Sequence, residues 1–501
     1  MATMIPFKVM GLAIASLCLV TFIGCVHGVV VDSNNYPIKY IEVQLTNLES
    51  GETLTEWTDD EGRFAFFPIV DGRFEINASR YGYNDLTRAF VKDEGLFSLG
   101  ETVMDNCSTV MVHEFDPPSL EAMRELEPAI ATRQFTVYLP PSYAAEPERQ
   151  YPAVYLLHGN EQNHLSYFHP YSYNGLLGFH LQSVIDELVG YGVSREFILV
   201  VPNGTMPEGW LPYAKSGSFF VNSAYNGNFE TYVVDDLVDC VENNTNGCLW
   251  EEGRGGYRVI PKGASRGVQG ASMGVIGALN MALRYPGRFA AVAVNYGPVS
   301  FNELIFPFTP GIEPFAVKIL KNRALLNVAE SLWGALFAAV DGEHYPDNDY
   351  PIEIHDDGEM TMTMVEDPDD PEAEVELWSN YYLRHDPYTY LAENPEAAEG
   401  LSFYLDCGDH DEIQLYENNR AFSALLEELG LEPSGSMATW NRHFFEIYPN
   451  VSHVDLITRD RIRKGLIFLA NHLAGEDAIS PASFEEIAEI RGQRQEEQRV
   501  R

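Results

Sequence analysis

The sequence predicts an α/β fold with a small antiparallel β-sandwich at its N-terminus and a lid-like insertion. Three observations carry that prediction. Residues 27–104 alternate apolar and polar side chains with a period of two, broken by turn residues. From about residue 118, apolar strands alternate with helix-length segments, the pattern of an α/β sheet. Residues 261–274, PKGASRGVQGASMG, hold the frame G-x-S-x-G twice, and the second copy runs into an amphipathic helix.

The bulk numbers set limits before any motif is read. A chain of 501 residues exceeds the size of a single core, so more than one domain is expected. Hydrophobic content of 45% with 12% aromatic residues is that of globular protein. The formal charge of −42 repels phosphates, which disfavours nucleic acids and anionic membranes as partners.

Residues 1–25 read as a signal peptide. A short, weakly basic start, Met1 to Lys8, precedes an apolar run from Val9 to Gly24 that is short for a membrane span. The protein is therefore expected to be secreted or extracytoplasmic. Phe22-Ile-Gly-Cys25 resembles a bacterial lipobox with Phe where Leu is usual. Lipid attachment at Cys25 and ordinary cleavage nearby both stay open. Six cysteines are too few for a disulfide scaffold. Cys240 and Cys248 bracket the polar loop VENNTNG and can bridge in an oxidising compartment; the pairing stays open. No cysteine or histidine spacing suits a metal, so none is expected.

Residues 26–110 form the expected sandwich. GVVVDSN, YIEVQLTN, LTEWTDDEGRFAFF and RFEINASRYGY are short strands separated by turns at Asp60-Glu-Gly62 and Asp71-Gly72. The opening G-x-V-x-D-x-x-x-x-P-I and the later T-D-x-x-G-x-F resemble carboxypeptidase regulatory-like, transthyretin-type domains. That resemblance implies a spacer or docking role without chemistry, with carbohydrate binding as the alternative.

After Asp116-Pro-Pro118 the α/β domain is expected over 118–475. FTVYLPP, AVYLLHG and FILVVPNG read as strands, and GFHLQSVIDELVGYG and NMALRYPGRF as helices. The rhythm fails from about residue 300 to 382. There an apolar stretch, IFPFTPGIEPFAVKIL, precedes the acidic run DDGEMTMTMVEDPDDPEAEVE, and a lid is expected. Residues 476–501 read as a polar helical tail.

Only one of the two serines can occupy a strand-to-helix turn. After Ser272, Val275, Ile276, Leu279 and Leu283 mark a helix that ends before Pro286. After Ser265, Gly267, Gly270 and Gly274 would each cost a helix about 1 kcal/mol. Arg266 to Ala271 is instead the short strand that feeds the second frame. Ser272 is the expected nucleophile, and Ser265 a loop serine.

RGVQGASMGVIGALNMALRYPGRFAAVAV resembles the esterase D-type branch of the α/β-hydrolases, which includes feruloyl esterases, S-formylglutathione hydrolases, siderophore esterases and mycolyltransferases. The pattern is R-x-x-x-G-x-S-M-G-G-x-G-A-L followed by Y-P-x-x-F. Val275 replaces its second Gly after Ser-Met-Gly, which puts close packing of that helix in question. The likeness runs from Arg133 to Leu473 apart from the insertion.

The resemblance implies a triad in the chain order Ser, acid, His. Asp411 stands at the family's G-x-x-D position. Asp406 and Asp409, nearby, are expected to serve in turn capping and local hydrogen bonding. His453 stands at the Y-P-x-x-x-H position, with Val451-Ser452 where Gly-Gly is common. His443 is expected to be an ordinary surface or core histidine. The oxyanion hole is expected from the backbone amides of Met273 and of Asn160, the latter by likeness to the family's His-Gly-x turn. His158 is expected to be structural. Asn203, Trp210 and Tyr213, in VPNGTMPEGWLPY, are candidates to line the cleft.

The implied function is a secreted serine esterase that works through an acyl-enzyme without a cofactor. Its expected substrate is an acyl group on carbohydrate, feruloyl or acetyl. A siderophore esterase or an acyltransferase of the same fold is the alternative. From another class comes a non-catalytic, surface-anchored binding protein with a hydrolase fold, against which the filled Ser, Asp and His slots count.

Overall fold

A computed structural model describes residues 24–93, 95–125, 128–160, 162–169, 179–207, 217–223, 227–249, 255–300, 302 and 383–434, then 441–453 and 458–475. Short strands within 352–376 are described as well. Residues 1–23 of the expected signal peptide, most of the insertion and the expected tail lie outside these residues, whereas Gly24 and Cys25, expected to close the leader, belong to the first strand. The chain divides into two compact units.

The first unit holds seven strands: β1 (Gly24–Asp32), β2 (Glu42–Asn47), β3 (Thr53–Trp57), β4 (Arg63–Ile69), β5 (Gly72–Ala78), β6 (Leu86–Lys92) and β7 (Leu96–Met104). They form a three-stranded sheet, β4-β1-β7, and a four-stranded sheet, β3-β2-β5-β6. Alternate residues turn inward, so Val26, Val30, Val43, Leu45, Phe66 and Ile76 share one core. The turn signals act as read. Asp59 accepts from the amides of Glu61 and Arg63 at 2.9 and 2.8 Å, and Gly62 supplies the positive φ of 72°. Cys25 lies buried near the start of β1.

This unit also takes in Pro140–Glu146 and His180–Tyr191, which come from the α/β part of the sequence. Helix α1 (Leu181–Gly190) has an apolar face, and its Gln182, Ser183, Asp186 and Glu187 would ordinarily face water. Here that polar face is paired. Asp186 accepts from Asn106 at 2.7 Å and from Ser108 at 2.6 Å, and its side chain is wholly buried. Asn34 donates to Ser183 at 3.2 Å, and Gln182 donates to Ser108 at 3.0 Å. Past the helix, Arg80 stacks over the Tyr191 ring at 3.6 Å. Removing the carboxylate strips the buried Ser108 hydroxyl of its acceptor and leaves Asn106 only its longer bond to Asp32 at 3.3 Å, at a cost of about 1–3 kcal/mol. Asp186→Ala should therefore lower amide hydrogen-exchange protection in α1 and in the sandwich together. Loss confined to α1 would show that the two are not one cooperative unit.

The second unit is built on a nine-stranded sheet. Its strands are β8 (Thr109–Phe115), β9 (Arg133–Leu139), β10 (Ala153–Leu157), β11 (Ile198–Pro202), β12 (Arg266–Ala271), β13 (Ala291–Asn295), β14 (Ser402–Gly408), β15 (Pro433–Ser434) and β16 (His443–Tyr448). Their order is β15-β16-β14-β13-β12-β10-β11-β9-β8. Strands β11, β10, β12, β13, β14 and β16 run parallel, and β9 is antiparallel to β11. The five from β10 to β14 are buried along their whole length, as expected of a parallel sheet covered on both faces. That is why they read as unbroken apolar runs. The strand order reverses at β10, and crevices at the carboxyl ends beside such a reversal are where α/β sheets bind ligands.

Four helices matter to the site: α2 (Val238–Asn243), α3 (Gly274–Arg284), α4 (Leu415–Glu428) and α5 (Thr458–His472). Cys240, in α2, is bridged to Cys248 with Cα atoms 5.8 Å apart, which closes the pairing left open by sequence. In the insertion, Ile352–Ile354 pairs with Met360–Met362 and Met364–Asp367 with Asp370–Glu376, both antiparallel. Part of the acidic run is thus β-hairpin, where no strand was expected. The insertion's two ends meet. The Val299 carbonyl accepts from the Tyr388 amide at 3.1 Å, and Ser300 Oγ donates to Asp386 at 3.3 Å.

Candidate active site

Ser272 occupies the turn between β12 and α3 with φ of 50°, a left-handed conformation that costs a non-glycine residue on the order of 1 kcal/mol. The flanking glycines explain how the turn closes. A Cβ at Gly270 would collide with the Gly274 carbonyl, and one at Gly274 with the carbonyl of Leu157. Ser265 lies at the opposite end of β12, roughly 20 Å away at the rise of an extended strand. It is buried in a 3₁₀ turn. Val275 is accommodated because its neighbour, Gly297, has no side chain. A Cβ at Gly297 would strike Val275 Cγ2 and the Ser272 carbonyl. The absent family glycine therefore does not open the packing, since the missing side chain has moved to the facing position.

The structure brings Ser272, His453 and Asp411 together in one chain of hydrogen bonds. Ser272 Oγ lies 2.9 Å from His453 Nε2, and His453 Nδ1 lies 2.8 Å from Asp411 Oδ2. With Nδ1–H donating to the carboxylate, Nε2 is left as the acceptor facing the serine hydroxyl. The Asp411 side chain is 0% exposed and that of His453 13%, so the carboxylate is sealed while the imidazole keeps an opening to solvent. Asp411 Oδ1 also accepts the Ile413 amide at 2.9 Å, which fixes the carboxylate's rotation.

Two residues that sequence did not single out hold the histidine. Glu412 accepts the His453 backbone amide at 2.8 Å. The Tyr296 ring meets the imidazole edge-on, with centroids 5.6 Å apart at 84°. Neither carries a motif. Tyr296 is the first residue past β13, but nothing in the sequence says that β13 ends beside His453.

Asp406 is not a turn cap, contrary to expectation. Its fully buried carboxylate accepts from Arg461 Nε at 2.7 Å and from Asn295 Nδ2 at 2.6 Å, and the Arg461 guanidinium stacks at 4.4 Å on Tyr296. A strand-interior carboxylate in a dry sheet needs such a partner, and only the fold shows that α5 supplies it. Asp409 is only partly local: its Oδ1 faces Nδ1 of the adjacent His410 at 2.6 Å, but the amide it accepts, at 2.6 Å, is that of Asn450, 41 residues on. His443 is a core histidine between Ser423 and the Leu431 carbonyl.

On the opposite wall, the His158-Gly159-Asn160 turn follows β10. A Cβ on Gly159 would stand 3.3 Å from Ser272 Cβ, so this turn lies directly against Ser272. Met273 is the N-cap of α3. Its side chain lies over Gly217, where a Cβ would collide with the sulfur. His158 Nε2 accepts the Gly204 amide at 2.9 Å, and its Nδ1 faces the Gly159 carbonyl at 2.8 Å. It is a structural tie between two loops. The Asn203 side chain serves its own loop, accepting from the Thr205 amide and hydroxyl at 3.1 and 2.7 Å. Trp210 and Tyr213 lie outside the described residues. Among the described residues no group of His, Cys, Asp or Glu side chains is arranged to hold a metal ion.

Burial lowers the pKa of His158 to about 4, and burial does the same to His164. Both are therefore neutral in the fold and protonate more readily once unfolded. Their contribution to stability is complete above pH 6.5 and is lost as the pH falls from there toward 4. Stability from urea unfolding should fall over that window, and His164→Gln should flatten the slope. An unchanged slope would place the acid sensitivity elsewhere.

With this geometry established, similarity to known proteins decides the family. Residues 131–428 match the Esterase family model, described as "Putative esterase". The chain belongs to this esterase family. Residues 25–98 of the esterase match the carboxypeptidase regulatory-like domain model. Esterase MT1326 and Esterase Rv1288, from two strains of Mycobacterium tuberculosis, are each 30% identical to it over 167 residues. That match covers 33% of this chain and 29% of each relative, so the esterase spans under a third of their length. Among solved structures it is similar to a ferulic acid esterase, at 18% identity and a TM-score of 0.45 over 73% of this chain and 98% of that one. It is also similar to an S-formylglutathione hydrolase from Agrobacterium tumefaciens, at 14% identity and a TM-score of 0.40 over 73% and 96%.

Proposed function

We propose that the protein is a secreted serine esterase that cleaves carboxylic esters through an acyl-enzyme. The observation that carries this reading is the unbroken hydrogen-bonded chain from Ser272 through His453 to Asp411, with Ser272 held on a left-handed turn. In the proposed reaction Ser272 Oγ attacks the ester carbonyl while His453 Nε2 takes the hydroxyl proton. Asp411 keeps the proton on Nδ1 and stabilises the imidazolium. The negative oxygen of the tetrahedral intermediate is received by the backbone amides of Met273 and Asn160, donors that together supply several kcal/mol. His453 then gives its proton to the leaving alcohol. Water enters by the same route, and the acid departs as Ser272 regains its proton.

The substrate we propose is an acyl group on carbohydrate, feruloyl or acetyl. The support is compartmental. An apolar leader at residues 9–24 directs the chain out of the cytoplasm, where polysaccharide esters are met and glutathione esters are not. The −42 charge also suits a neutral glycan better than a polyanion. Purified protein should hydrolyse p-nitrophenyl acetate and, in a panel of feruloyl-oligosaccharide, acetyl-xylan and siderophore esters, prefer the carbohydrate esters. No release from p-nitrophenyl acetate would sink the esterase reading. Preference for a siderophore ester would move the substrate class and leave the chemistry standing.

A further inference from the structure

Helix α4 carries adjacent asparagines, Asn418 and Asn419, both wholly buried. Asparagine is a poor choice inside a helix, because its side chain competes with the backbone for hydrogen bonds. Their partners explain the placement. Asn418 Oδ1 accepts the Val299 amide at 2.7 Å and the Ser300 amide at 3.3 Å, and its Nδ2 donates to the Ser300 carbonyl at 2.7 Å. Asn419 Nδ2 donates to the Gly297 carbonyl at 3.0 Å and to the Leu415 carbonyl at 2.8 Å. Two side chains thus hold four backbone groups of the loop after β13.

That loop touches both halves of the site. Tyr296 meets the His453 ring and has a positive φ of 42°, a conformation an unheld tyrosine would leave. Gly297 packs so closely against Val275 and the Ser272 carbonyl that no Cβ fits. Helix α4, in turn, begins just past Asp411, whose carbonyl accepts the Gln414 amide at 3.0 Å. The asparagine pair therefore joins the segment that carries the acid to the segment that shoulders the nucleophile and faces the base.

We infer that Asn418 and Asn419 are positioning residues, which set the spacing of Asp411, His453 and Ser272 by pinning residues 297–300. They touch no reacting atom. The inference rests on the triad assignment proposed above. Small displacements of reacting groups are enough to slow a reaction by about 100-fold. Asn418→Ala and Asn419→Ala should each lower kcat on p-nitrophenyl acetate by about 10- to 100-fold with KM nearly unchanged. Asn418→Asp, which keeps the acceptor for the two amides, should recover part of the loss.

Because a buried substitution can also reduce the folded fraction, activity is referred to active sites titrated with a fluorophosphonate. A lower kcat per titrated site, with a slower labelling rate constant, supports positioning. Unchanged kcat per titrated site, whether or not fewer sites remain, would overturn it. Ser272→Ala is run alongside. If that variant keeps activity, the triad reading has failed; if it is inactive while the asparagine variants turn over normally, only the positioning inference has failed.

Discussion

Ser272→Ala is expected to lower kcat by about 10⁶-fold and to abolish fluorophosphonate labelling, while Ser265→Ala stays near wild type. The two serines sit in the same pentapeptide frame, so composition alone cannot separate them. Their surroundings can. Ser272 Oγ has His453 Nε2 at 2.9 Å, whereas Ser265 is buried in a turn at the far end of the same strand. A hydroxyl without a neighbouring base stays protonated and unreactive. Peptide mass spectrometry of the labelled protein reads the result directly. Adduct on the peptide carrying Ser265, or undiminished turnover by Ser272→Ala, would remove the elbow assignment.

The second large effect separates two aspartates five residues apart in the chain. Asp411→Asn should lower kcat by up to about 10⁴-fold with the fold intact, because an amide cannot hold the imidazole in the tautomer that faces the serine. Asp406→Asn should act on stability instead. It leaves Arg461 buried without its counter-charge, and breaking such a pair costs about 3–5 kcal/mol. Steady-state kinetics per titrated active site, read beside denaturant unfolding, resolves the two outcomes. A folded, inactive Asp406→Asn beside an active Asp411→Asn would exchange their roles.

Much of this was legible before any coordinate. A strand must expose alternate faces, so the period of two over 27–104 announces the sandwich, and Asp59 and Gly62 show why its turns fall where they do. The elbow was legible for the same local reason. Gly270 and Gly274 are needed within one turn of chain around Ser272, and the helix after it declares its own apolar face. Asp411 and His453 could be chosen only through family spacing, since nothing local marks an aspartate after a glycine turn as different from Asp409.

What the sequence determined by itself is therefore whatever short-range chemistry fixes: period, turns, the strand-to-helix turn that carries Ser272 and the order of the strands along the chain. The tertiary structure decided the rest, because its causes lie far apart in sequence. Asp406 finds Arg461 across 55 residues, Val275 fits because Gly297 gives way, and Asp186 of α1 is buried because Asn106 and Ser108 pair with it. A buried polar group must be paired, but the rule does not name the partner. Folding does, by choosing which distant segments share a dry interior.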